Sequence, residues 1–175
     1  MDIDRLIRNW HMKASEEDYF SKFVFEYLAF IAFLSKKKFT DERNDRQVIQ
    51  KLKQDNDTKT AYLRQIQNSE ELQKAWESIK SEFDRIPFRH STNNTRWNCS
   101  HLSNKPHNRE DERLKGEGVI HSLEDWENMV EFLYLVRNNL FHGQKDAEDE
   151  RDKFAVEFGY KTLRELVELL LKEGN

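Results

Sequence analysis

Apolar and polar positions alternate with a helical period along most of this chain, and nowhere with the two-residue period of a strand. The densest apolar run, "FVFEYLAFIAFL" at 23–34, belongs to a stretch from 16 to 38 that is hydrophobic on nearly every side between Phe20 and Leu34. That pattern predicts a central helix surrounded by others. Ser15 and Asp18 have the spacing of a capping box for its start, and Lys36, Lys37 and Lys38 suit the negative end of its dipole. The triplet therefore reads as a helix end rather than a nucleic-acid patch. Residues 42–67 are strongly polar and predict one or two surface helices. Asn68 with Glu71 predicts a cap for a helix over 69–85, where Leu72, Trp76, Ile79 and Phe83 share one face.

The pattern breaks after residue 86. The first 86 residues hold no glycine or proline, whereas 87–108 holds both prolines, three histidines, the single cysteine and no acid. Periodicity returns once "NREDERLKGEG" (108–118) has passed. Ser122 and Asp125 predict a cap for a helix carrying Trp126, Val130, Leu133, Arg137 and Leu140 on one stripe and stopping at Gly143. Acids in "KDAEDERDK" then suit the positive start of a last helix bearing Val156, Tyr160, Leu163, Val167 and Leu170. The expected architecture is all-α: one domain over 1–175, a helical bundle with a long polar insertion, 86–121, before the penultimate helix.

Composition narrows this picture. Of the residues, 37% are hydrophobic and 35% charged, so the core is modest and a second copy of the chain is a natural way to complete burial. A net charge of −4 argues against general nucleic-acid binding and leaves room only for a local basic patch. Twelve residues of apolar run, interrupted by Glu26, fall short of the about 20 needed to cross a bilayer, so no membrane association is expected. Cys99 alone permits no internal disulfide and fits a reducing cytoplasm, and the charged start "MDIDRLIRNW" does not read as a signal peptide.

The candidate chemistry lies in "VRNNLFHG", 136–143. Arg137 follows Leu133 by four residues and precedes Leu140 by three, so it shares their apolar face. Asn138 and His142 stand four apart and are neighbours near the helix end. A guanidinium carried into a packed face needs an anion, either a carboxylate or a phosphate. Glu26, the one charge inside the apolar run, could supply that carboxylate or tune His142; equally, it could point outward to solvent.

"RNNLFH" resembles the R-x4-6-H motif of the HEPN (higher eukaryotes and prokaryotes nucleotide-binding) superfamily, and the aromatic-rich early helix and single helix after the motif agree with it. The resemblance implies an α-helical homodimer placing two motifs in a shared cleft. It also implies a metal-independent endoribonuclease, frequently in a toxin–antitoxin or antiphage-defence setting, with Arg137 and His142 as the catalytic pair and Asn138 as the polar residue beside them. An alternative within the resemblance is a non-catalytic module that binds RNA or a nucleotide in the same cleft. Members paired with a nucleotidyltransferase antitoxin commonly carry a modifiable Tyr two positions after the His; here it is Gln144, so that regulation is not expected.

The residue types suit such a reaction. An imidazole with a pKa near ~6.5 can move the 2′-OH proton, and a planar guanidinium can hold the phosphate's developing charge, leaving a 2′,3′-cyclic phosphate. In the insertion, Arg89, Arg96, Lys105 and Arg109 with Phe88 and Trp97 are the ingredients of single-stranded RNA contact, although a solvated loop is the plainer reading. His90, Cys99, His101 and His107 lack the paired spacing of a zinc site, so neither metal nor cofactor is expected.

Overall fold

The computed structural model describes residues 2–15, 18–85, 120–141 and 149–173. These residues form α1 (Ile3–Ala14), α2 (Tyr19–Phe33), α3 (Asp45–Gln54), α4 (Asn56–Asn68), α5 (Glu70–Arg85), α6 (Trp126–Phe141) and α7 (Glu150–Glu173), and none of them is in a strand. The all-α expectation holds, with the insertion falling between α5 and α6. Among the described residues, no helix is long and apolar enough to cross a membrane.

α2 is the central helix the sequence predicts. It packs chiefly against α1 on one side and α7 on the other, with Phe23, Tyr27, Phe30 and Phe33 buried. Its cap differs from expectation. Asp18, not Ser15, accepts from the backbone N–H groups of Phe20 and Ser21, and Ser15 instead closes α1. A carboxylate at the cap also meets the positive end of the helix, and its hydrogen bonds hold Asp18 below the usual carboxylate range. Beyond Phe33 the helix loosens into one π-helical turn, Leu34–Lys38, closed by Phe39 N–H to the Leu34 carbonyl at 2.7 Å. Two of its lysines bind other segments: Lys37 pairs with Asp4, and Lys38 with Asp55 at 2.8 Å.

The polar stretch does form two helices, α3 and α4, but they are more than surface decoration. Val48, Ile49, Leu52, Tyr62 and Ile66 are all buried. Ser69 rather than Asn68 caps α5, accepting from Leu72 N–H at 3.2 Å. The predicted apolar faces of α5 and α7 are buried at every position. Aromatic tips within the core find partners: Tyr62 donates to the Thr162 carbonyl at 2.7 Å, and Trp126 Nε1 to that of Leu52 at 3.2 Å. Gly159 sits where α7 crosses α2 closely; a Cβ there would stand 3.0 Å from the Phe23 ring.

Candidate functional site

α6 positions the site. Asp125 immediately precedes it, and Trp126, Val130 and Leu133 anchor the buried face. One turn further on, Arg137 emerges at the edge of the core, where α6 meets the start of α3 and the middle of α2, its side chain 26% exposed. Its guanidinium carbon lies 4.7 Å from the centre of the Phe141 ring and 5.6 Å from that of Tyr27. Such faces suit a delocalised cation that is weakly hydrated.

The polar contacts of Arg137 are specific. Nη1 donates to Asn138 Oδ1 at 2.9 Å, and Nη2 to Asp45 Oδ2 at 3.2 Å. Nε is buried and meets no hydrogen-bond partner among the described residues; the buried Tyr27 hydroxyl is likewise unpartnered. Burial and the nearby Asp45 carboxylate push the Tyr27 phenol far above its ordinary range, so it stays protonated. Arg137 thus holds one partly exposed carboxylate through one nitrogen while another nitrogen has no acceptor.

Beside it, across the α3–α6 seam, lies a second charged group. Glu131 is fully buried and accepts from Arg46 Nη1 at 2.8 Å with each oxygen, while Lys53 Nζ donates at 2.6 Å. Burial pulls the Lys53 ammonium below its usual value, and the Glu131 carboxylate opposes that shift. This triad fastens α3, and so Asp45, to the helix that carries Arg137.

Glu26 is placed otherwise than expected. It neither pairs with Arg137 nor points to solvent: it is fully buried and faces α1, with Oε1 2.7 Å from His11 Nδ1. Burial raises its carboxyl pKa, partly offset by the hydrogen bond to His11 and its charge. Tyr27, one residue on, is the position of α2 that reaches Arg137. The rotation of about 100° per residue separates the two directions.

Of the residues singled out in the sequence, Arg137 and Asn138 therefore come together, and Glu26 belongs elsewhere. His142, Arg89, Arg96, Trp97, Lys105 and Arg109 lie outside the described residues. No motif or spacing in the sequence marks Asp45, Tyr27, the Glu131 triad or His11 as parts of these sites. Asp45 lies 92 residues from Arg137, and no local spacing signals that meeting.

Next to Arg137 the surface is apolar. Phe141 is 53% exposed and, with Leu140, borders an open hollow of about 360 Å3 walled by Phe20, Val24 and Phe25 of α2. What fold and site define is an all-α bundle presenting an aromatic-flanked arginine at one helix end, beside exposed hydrophobic surface. No protein-family model, curated protein or solved structure matches the chain.

Proposed function

We propose that this chain is a HEPN-like endoribonuclease acting as a homodimer, in which Arg137 holds the scissile phosphate and His142 moves the proton. The observation that carries the reading is the state of Arg137. It stands at the edge of the bundle, flanked by two aromatic rings, with an unpartnered Nε and an Nη2 held by a single oxygen of a partly exposed carboxylate. A purely structural arginine would be expected to commit to a buried acid, as Arg46 Nη1 does to both oxygens of the fully buried Glu131.

In the reaction, the 2′-oxygen forms a bond to phosphorus as the bond from phosphorus to the 5′-oxygen breaks. The 2′-OH proton passes to the His142 imidazole, and the leaving 5′-oxygen takes a proton from water or from the second copy's imidazole. Arg137 stabilises the charge on the non-bridging oxygens, and Asn138 orients the guanidinium through its Oδ1. The apolar hollow beside Phe141 supports dimerisation at this face, which would bring two motifs together. A cytoplasmic toxin or antiphage role, held in check by an antitoxin or another regulatory protein, is part of the same proposal.

Incubation of mixed RNA with the wild type, Arg137→Ala and His142→Ala in EDTA tests it, each protein first shown to have the same oligomeric state. The expected result is cleavage by the wild type alone, with 2′,3′-cyclic phosphate ends. RNA retention by the wild type without cleavage would instead establish the non-catalytic binding module. Cleavage surviving both substitutions would refute the assignment of the site.

A further inference from the structure

A second cavity, of about 290 Å3, opens between the start of α2, the start of α5 and the middle of α7 and shares no residue with the Arg137 cluster. Its volume lies at the lower end for small-molecule sites. Lys22 and Arg164 line it with the rings of Tyr19 and Tyr160. Lys22 Nζ rests 5.1 Å from the centre of the Tyr19 ring and 5.7 Å from that of Tyr160, with no carboxylate in ion-pair range among the described residues.

Arg164 is held in one orientation. Its Nη1 donates to the Tyr160 hydroxyl at 2.8 Å and its Nε to Glu168 at 3.0 Å, which leaves Nη2 without a partner among the described residues. Lys161, also on the wall, is already paired with Glu157 at 2.6 Å. The cavity thus offers one flexible ammonium with no carboxylate partner among the described residues and one fixed N–H donor, Nη2, on an arginine whose charge Glu168 already meets. A fixed guanidinium nitrogen beside a mobile ammonium suits a compact anion with several oxygens.

The rest of the wall adds a second requirement. Glu71 and Glu165 line the same cavity, together with the hydroxyls of Ser15 and Ser69. Glu165 accepts from Gln65 at 2.6 Å and retains further acceptor capacity. A bare anion would gain nothing from these carboxylates; a ligand carrying hydroxyl or amine donors at its other end would satisfy them.

We infer that this cavity binds a phosphate monoester whose organic part bears hydroxyl or amine donors, the phosphate meeting Lys22 and Arg164 and the donors meeting Glu71 and Glu165. Sugar phosphates and nucleoside monophosphates share that chemistry. The site is independent of the proposed nuclease reading.

Calorimetric titration of the whole chain with inorganic phosphate, ribose 5-phosphate and the four nucleoside 5′-monophosphates tests the assignment. Saturable binding of at least one ester, clearly tighter than inorganic phosphate, is expected. Equal binding of ribose 5-phosphate and the nucleotides identifies the sugar phosphate as the recognised unit; preference for a nucleotide adds the base. Lys22→Gln should weaken binding about tenfold without changing the melting temperature, and Lys22→Arg should restore most of it. Arg137→Ala should leave it unchanged. The assignment fails if no ester binds, if inorganic phosphate binds as tightly, if Lys22→Gln has no effect, or if Arg137→Ala abolishes binding.

Discussion

Replacing His11 by alanine strips the buried Glu26 carboxylate of the one hydrogen bond it has among the described residues: Oε1 loses its donor there, and Oε2 has none to begin with. A fully buried, unpaired carboxylate takes up a proton rather than stay charged, and that proton sets a ceiling on the penalty. A free glutamate titrates near ~4.3, so holding Glu26 protonated at pH 7 costs roughly 2.7 pH units at about 1.36 kcal/mol each, or about 3.7 kcal/mol. Water entering the space left by the imidazole, which is 17% exposed, should keep the loss below that ceiling, at about 1–3 kcal/mol.

The cleanest comparison sets His11→Ala against the double variant His11→Ala/Glu26→Gln, since His11 titrates in neither. In the single variant the folded-state pKa of Glu26 lies above its unfolded value, so the folded state binds the proton more tightly. The two proteins should therefore be equally stable below about pH 4. The single variant should fall behind as pH rises through the unfolded pKa, and the gap should level off above the folded one. Urea unfolding at a series of pH values reads this directly. Superimposable stabilities across the range would mean that Glu26 titrates alike in the folded single variant and the unfolded chain, and so that His11 is not what compensates its burial.

Arg137→Ala removes a partly exposed ion pair together with the packing of the guanidinium on Phe141 and Tyr27 and should cost about 1–2 kcal/mol by urea unfolding, so RNA cleavage is to be compared where that variant is still fully folded. Asp45→Asn removes the carboxylate competing for Nη2 and should tighten RNA retention in filter binding; weaker retention would count against Arg137 as the phosphate holder. Glu131→Ala leaves Arg46 and Lys53 facing each other in the seam and should cost about 3–5 kcal/mol, most of it recovered in a variant that also replaces Lys53 by methionine. Gly159→Ala should lower the melting temperature, because overpacking against Phe23, at about 1–3 kcal/mol, outweighs the ~1 kcal/mol gain in helix propensity.

The helices and the break between them follow from local sequence, because they depend on neighbours within a turn or two. Leu72, Trp76, Ile79 and Phe83 share a face whatever lies opposite, and the apolar run of α2 demands cover on every side. The same local logic put Arg137 on the stripe of Leu133 and Leu140 and set Asn138 beside it. Caps were less legible, since Ser15 and Asp18 both qualify and only the path of α1 into α2 makes Ser15 the end of one helix and Asp18 the start of the next.

Which charges meet depends on how the helices pack. Glu26 and Tyr27 are adjacent in the chain, yet one faces His11 and the other Arg137, because neighbouring positions of α2 point about 100° apart, one toward α1 and the other toward the end of α6. Asp45 reaches Arg137, and Glu131 gathers Arg46 and Lys53, only because α3 lies along α6. Helical periodicity fixes the direction of a side chain about its own axis; the partner it finds depends on how the axes pack, which no short spacing encodes.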